Sequence, residues 1–358
     1  MIGQTPPPFH GQAVATKLLL EGNYKKIKLF HIRLAFSAEI SEVGKFSTGK
    51  IWHLFAIICR IFIYRFRHRI HTLYYMPVGN KSVPFFRDVV ILANTRWLFK
   101  EVIFHFRVGG ILRFYTEELN LLKPLFRLAY FKSDMAIKLS ENGTTEAECF
   151  NSGKIRVVPD GMRDFAGDNP RGNSGKPNLP VILYVGAIME SKGIFTILDI
   201  CRILKVKQQK FVFRVVGGFE DDKMREKIFQ EIDDTGIKEY IQFPGVMVDE
   251  QKWNEYKKAT IFCFPSFHET FGLVLLEAMQ FSLPVVASDI GGIPSIVENG
   301  HSGFLVPHNR SDLFADRIEL LLNNGSLVYR LGAEGRNIFL EKFTERNYWN
   351  KMEEALGE

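Results

Sequence analysis

Cysteine is scarce in this 358-residue chain: Cys59, Cys149, Cys201 and Cys263 are scattered through apolar stretches such as IFCFP. No C-x-x-C spacing and no partnering histidine cluster accompanies them, which excludes a disulfide framework or a zinc site and predicts buried, reduced thiols in a cytosolic protein. Long apolar runs are missing as well. The nearest, IWHLFAIICRIFIYRF at residues 51–66, is broken by His53, Arg60 and Arg65, whereas a membrane span needs about 18 uninterrupted apolar residues. The opening MIGQTPPPFHGQ has neither a basic n-region nor an apolar h-region, so no secretory signal is expected. With 46% hydrophobic and 24% charged residues, the composition also excludes disordered, collagen-like and coiled-coil chains.

What is present is unevenly distributed. Residues 1–150 carry 21 basic against 11 acidic side chains, net +10, and residues 151–358 carry 25 against 29, net −4, which together return the overall +6. The two halves are electrostatically different bodies. At roughly 100–200 residues per domain the length predicts two domains, and the Gly, Pro, Asn and Ser of DNPRGNSGKPNLP at residues 168–180 mark a loop near their boundary. The expected division is 1–165, 166–340, and a terminal helix over 341–358 that packs back on the first domain.

The second half alternates strand and helix. VILYVG, FVFRVVGG, IQFPG, TIFCFP and PVVAS are short apolar runs separated by FTILDICRILKV, EDDKMREKIFQEI, DEQKWNEYKKA and FGLVLLEAMQF, with a closing helical region over 312–322. Repeated β-α units with near-continuous apolar strands specify a parallel sheet covered on both faces. Such doubly wound domains bind ligands beyond the carboxyl ends of their strands. In the first half the strand candidates are IKLFHIRLA, TLYYMPV, EVIFHFRVGG, DMAIKLSE and KIRVVP, economically a second Rossmann-like domain. Only four residues, Met1–Gln4, precede the loop TPPPFHGQ, fewer than the five or six of an ordinary strand, so the chain is expected to begin inside its own first strand.

The chemistry concentrates in residues 264–306, FPSFHETFGLVLLEAMQFSLPVVASDIGGIPSIVENGHSGFLV. A strand ends at Pro265, a loop carries Ser266, His268 and Glu269, and a helix is expected from Thr270 with Phe271 and Gly272 in its first turn. Unpaired N–H groups and the dipole at such a helix start suit an anion. Glu277 follows Glu269 by eight residues, about 12 Å at 1.5 Å per residue if helical, comparable to a bound sugar nucleotide. Leu273, Val274, Leu275, Leu276, Ala278 and Met279 make this helix apolar nearly all round. Such helices are buried, and an acid on one needs a partner or a ligand. Gly291-Gly292 lets backbone approach closely.

Glu269-x7-Glu277 in HETFGLVLLEAM, followed by PVVAS, GG and GFLV, and preceded in order by VVPDG, VGAIMESKG, FRVVGG and FPGVM, resembles the donor-binding signature of retaining glycosyltransferases of family 4, the glycosyl transferases group 1, of bacterial surface-polysaccharide type. The likeness is close over residues 133–324 and loose before. It implies an α/β fold of GT-B architecture: two facing, doubly wound Rossmann-like domains with a deep interdomain cleft, the first binding acceptor and the second a nucleotide diphosphate sugar. By the same resemblance Lys192 binds the donor diphosphate, Glu269 contacts the hexose, Thr270, Phe271, Gly272 and Leu273 line the donor, and Glu277 holds the ribose. Val246 faces the nucleobase, and Gly186 and Gly217 belong to the donor site. Where an arginine commonly stands five positions before the lysine, this chain has Ala187. Gly11 resembles a glycine of the loop that approaches phosphates and acceptor, with His10 where a second glycine is common. His105 resembles the active-site histidine, with Arg107 near enough to compete for that role and Gly109-Gly110 admitting substrate.

The implied catalytic set is therefore Glu269, His105 and Lys192. The reaction moves a hexose onto an acceptor hydroxyl, of a lipid-linked or cell-surface glycan precursor such as lipopolysaccharide or capsule, with the leaving phosphate helping to deprotonate the acceptor. No cofactor beyond the donor co-substrate is expected, and no metal, because no D-x-D motif occurs. A sugar-nucleotide epimerase and a non-catalytic sugar-nucleotide-binding subunit remain the alternatives. In residues 50–77, Arg60, Arg65, Arg67 and Arg69 interleave with Trp52, Phe55, Phe62, Tyr64 and Phe66. This suits a helix lying on anionic lipid headgroups, at about 1 kcal/mol per basic residue, or one packed on its own sheet with arginines outward. No recognition motif supports nucleic acid. The expected location is cytoplasmic, peripheral on the inner face of the membrane.

Overall fold

The computed structural model describes residues 1–7, 11–34, 48–78, 82–118, 122–170 and 179–357. They form two compact units, Met1–Met162 with Glu345–Glu358, and Arg163–Thr344. Among the described residues each unit is built on one six-stranded sheet.

In the first unit β1 (Ile2–Gly3), β2 (Ile32–Arg33), β3 (Thr72–Tyr75), β4 (Glu101–Phe106), β5 (Met135–Lys138) and β6 (Lys154–Val157) run parallel in the order β2-β1-β3-β4-β5-β6. The strand expected over IKLFHIRLA shrinks to Ile32–Arg33, because β1 offers only Ile2 and Gly3 as ladder partners; its end, with the rest of 35–47, lies outside the described residues. The terminal helix Glu345–Gly357 belongs to this unit. Its Tyr348, Met352 and Ala355 pack with Leu19, Tyr74, Ile103 and Ile137. Trp349 Nε1 donates to the Leu18 carbonyl at 2.8 Å, and Glu353 Oε1 accepts from the Lys26 N–H at 2.6 Å.

In the second unit β7 (Val181–Val185), β8 (Val212–Val216), β9 (Ile241–Gly245), β10 (Ile261–Phe264), β11 (Val285–Ser288) and β12 (Gly303–Val306) are ordered β12-β11-β10-β7-β8-β9, all parallel. Every residue of β7, β10 and β11 is buried, as apolar runs covered on both faces must be. This is the doubly wound order whose ligand crevice opens at the carboxyl ends of the two strands where winding reverses, here β7 and β10. Of the cysteines, Cys201 and Cys263 are buried, whereas Cys59 is half-buried and Cys149 exposed. Cys149 ends a single-turn helix, Glu146–Cys149, at the surface, which corrects the expectation that all four are interior.

Candidate functional site at the carboxyl edge of the second sheet

The loop after β7 passes Gly186 and Ala187, makes a tight turn at Glu190–Lys192, and enters the helix Ile194–Val206. The loop after β10 carries Ser266 to Gly272. Backbone sews the two together: Phe267 N–H donates to the Ser191 carbonyl at 2.9 Å. The 265–272 loop is then pinned by the Gly291 turn, where a Cβ would stand 1.9 Å from the Glu269 carbonyl oxygen. Only glycine permits that approach, and Gly292 N–H donates to the same oxygen at 3.3 Å.

This scaffold brings Lys192 and Glu269 together. Lys192 Nζ lies 2.8 Å from Glu269 Oε2 and 3.3 Å from the His268 carbonyl. Both side chains stay partly accessible. The helix after this loop begins at Leu273, not at Thr270, because Gly272 has φ +103° and stands outside the helical region as the N-cap. Thr270, Phe271 and Gly272 are thus loop residues, and only Leu273–Glu277 is helical rise, about 6 Å. The 12 Å helical spacing between the carboxylates does not apply.

Glu277 has its partners, and sequence reading missed both. Lys252 Nζ donates to Oε1 at 2.6 Å and the Tyr256 hydroxyl to Oε2 at 2.7 Å. Burial, then the charge of Glu277, raises the Tyr256 pKa well above its usual value, so the hydroxyl keeps its proton and remains a donor. A signal existed: in DEQKWNEYKK, Lys252 and Tyr256 are spaced i, i+4 and share one face of the helix Asp249–Lys258. Val246, 70% exposed, follows β9. Gly186 and Gly217 follow β7 and β8, Gly186 N–H donating to Val216 and Gly217 N–H to Gly245, each at 3.0 Å.

In the first unit the residues expected around the acceptor are arranged differently. Gly11 opens the helix Gly11–Glu21 and is exposed, while His10 lies outside the described residues. His105 is wholly enclosed, because β4 lies between β3 and β5 and packs on both faces. Its Nδ1 is hydrogen-bonded to the Tyr74 hydroxyl. Arg107 is likewise buried, in an ion pair with Asp160. The Gly109-Gly110 turn, expected to admit substrate, is closed by the buried Glu146, whose Oε1 accepts from Gly110 N–H at 2.7 Å and Ile111 N–H at 3.2 Å. The first unit thus encloses the His105 side chain.

Burial, assisted by Arg107, holds His105 well below its usual 6.5. An imidazole kept neutral in the fold but free to protonate when unfolded contributes stability that is present above about 6.5 and is lost as pH falls below it, by up to about 1.4 kcal/mol per pH unit. Denaturant melts of the protein and of His105→Gln between pH 7 and pH 5 should show the wild type losing stability faster; parallel slopes would reject the assignment.

Two six-stranded parallel sheets with helices on their faces define the GT-B class of α/β proteins, and solved structures share the fold. Sucrose-phosphate synthase from Thermosynechococcus elongatus matches over 99% of this chain and 94% of its own, with a TM-score of 0.74 and 19% identity. Anabaena Alr3699/HepE, solved in complex with UDP and glucose, matches over 87% and 84% with a TM-score of 0.66 and 18% identity. Residues 168–338, nearly the whole of the second unit, match the family model described as Glycosyl transferases group 1. The capsular polysaccharide biosynthesis glycosyltransferase CapM of Staphylococcus aureus is 30% identical over 176 residues, 48% of this chain and 44% of that protein. The phosphatidyl-myo-inositol mannosyltransferase of Mycobacterium leprae is 30% identical over 181 residues, 50% and 47%. The matched stretches thus span less than half the length of these curated relatives.

Proposed function

We propose that the protein is a retaining glycosyltransferase that moves a hexose from a nucleotide diphosphate sugar to an acceptor hydroxyl on a lipid-linked or cell-surface glycan precursor. The observation that carries this is the Lys192–Glu269 pair at the reversal point of the second sheet. A cation beside a carboxylate at that crevice suits a diphosphate next to a polyhydroxylated sugar. On donor arrival Lys192 Nζ exchanges Glu269 for the diphosphate, and Glu269 accepts from sugar hydroxyls. Glu277, pre-oriented by Lys252 and Tyr256, accepts from the ribose. The free N–H groups of the 270–273 turn add to Lys192 in stabilising the leaving diphosphate, a contribution that grows as the glycosidic bond breaks. With Ala187 where an arginine is common, Lys192 bears most of the side-chain charge. Charge neutralisation is assigned to these groups without a metal, so chelator treatment is expected to leave the rate unchanged. For His105 the proposal is a bracing role, through Tyr74, at the strand end before Gly109-Gly110.

A relative that makes capsular polysaccharide and another that mannosylates a phosphatidylinositol support the acceptor class, and a fold relative solved with UDP-glucose supports the donor class. The test is a thermal-shift panel of uridine, guanosine and adenosine diphosphate sugars, followed by release of nucleoside diphosphate from the donor that binds. A stabilisation of about 2.7 kcal/mol is expected at a hundredfold excess over Kd. Binding without turnover under any acceptor would favour a sugar-nucleotide-binding subunit, and no binding would end the donor assignment. Within this scheme Tyr256→Phe is expected to raise the donor KM about tenfold with kcat nearly unchanged, since the ribose contact is equal in ground and transition states. A kcat loss with unchanged KM would contradict it.

A further inference from the structure

The helix Thr48–Arg67 is apolar on two faces, and among the described residues one of them packs into the core. Ile57 and Ile61 are inside the core of the first unit, with Leu54, Ile58 and Tyr64 partly buried against it. On the other side, at 100° per residue, Trp52, Phe55, Ile63 and Phe66 align along nearly four turns and are 76%, 60%, 56% and 66% exposed. Phe62 extends the strip to Trp97, their ring centroids 6.1 Å apart at 70°, and Trp97 is itself 69% exposed. Arg60 and Arg67 stand exposed along one flank, and Arg69 just beyond. Arg65 on the other flank donates from Nε to the Leu98 carbonyl at 2.8 Å, with its guanidinium 5.7 Å from the Phe66 ring. No acidic residue occurs between Glu42 and Asp88. The whole first unit carries 25 basic against 16 acidic side chains.

We infer that this strip docks the protein on the surface of an anionic membrane, with the aromatic side chains in the headgroup and acyl boundary and Arg60, Arg67 and Arg69 on lipid phosphates. Contiguous exposed aromatic surface of this kind marks an interaction face, and aromatic rings bordered by arginines fit an interfacial helix. Spanning is excluded for this helix, since no helix among the described residues is long and apolar enough to cross a membrane. Charge complementarity selects lipid over a second copy of the chain: a two-fold contact would set each basic flank against its own image, whereas anionic headgroups neutralise it. The inference does not rest on the transfer reaction.

The test is co-sedimentation of the full chain with vesicles of phosphatidylcholine alone and of phosphatidylcholine with phosphatidylglycerol. Binding is expected to the anionic vesicles at low salt and to fall at high salt. Arg60→Gln with Arg67→Gln should weaken it about 25-fold, roughly fivefold per charge, and Trp52→Ser with Phe55→Ser and Phe66→Ser at least tenfold at every salt concentration. All five positions are exposed, so an unchanged melting temperature certifies the variants. Brominated lipid should quench tryptophan fluorescence in the wild type, and Trp52→Phe with Trp97→Phe should remove that quenching. Failure of the wild type to pellet with anionic vesicles overturns the inference, as does pelleting that neither variant reduces. Concentration-dependent self-association abolished by the aromatic variant, without vesicle binding, would overturn it in favour of a contact between copies.

Discussion

Glu269→Gln is expected to lower sugar transfer by about 10²–10³-fold, the scale on which removal of one pre-placed polar group at a reacting centre is felt, while leaving the fold intact. The carboxylate is the partner of Lys192 Nζ at 2.8 Å, and both side chains are partly accessible. The side chains are 28% and 18% exposed, and glutamine keeps the volume and a hydrogen-bonding oxygen, so an unchanged melting temperature is expected of the variant. Loss of activity therefore cannot be ascribed to unfolding. Removing the carboxylate also releases Lys192 from its ion pair, so nucleoside diphosphate should bind as well as before or tighter, even as transfer fails. Steady-state rates and calorimetric titration of the nucleoside diphosphate measure the two arms. Transfer within tenfold of wild type would remove Glu269 from the catalytic set, and a parallel loss of nucleotide affinity would make its role one of holding the loop.

The largest stability effect is expected in the first unit, at Asp160→Ala. The Arg107–Asp160 pair has side chains only 3% exposed on each side. Taking away the aspartate strands a guanidinium in the interior, which costs about 3–5 kcal/mol. At roughly 2–4 °C per kcal/mol for a unit of this size, the melting transition should fall by roughly 6–20 °C. Replacing both partners with apolar residues of similar volume, Arg107→Met with Asp160→Leu, should recover most of that loss, because the penalty belongs to the unpaired charge and not to the absence of the bridge. A single variant that melts within about 1 kcal/mol of wild type would show that Arg107 reaches water in solution.

Much of the second unit was legible in its residues. VILYV, IFCF and VVAS are continuous apolar runs, and such runs have no stable place except as interior strands of a parallel sheet. The site loop was legible too, because a carboxylate in HETFG and a lysine in ESKG follow strands whose carboxyl ends converge. The partners of Glu277, Lys252 and Tyr256, share a face of the helix Asp249–Lys258, but only the tertiary fold sets that face against the glutamate. The helix start was misplaced by three residues because only the backbone conformation of Gly272 decides it.

The first unit shows where reading by residue type stops. His105 and Gly109-Gly110 have the chemistry and freedom that a substrate site needs, yet the fold encloses the histidine and sets the Glu146 carboxylate on the turn. Side-chain type gives the capability of a group, while exposure depends on which strands flank it, and that order is a property of the whole sheet. The helix Thr48–Arg67 makes the same point. Its sequence alone established a basic, aromatic helix broken too often by charge to span a bilayer. With apolar residues on both faces, periodicity could not choose which one packs inward. The sheet made that choice by taking Ile57 and Ile61, and left Trp52, Phe55 and Phe66 facing water.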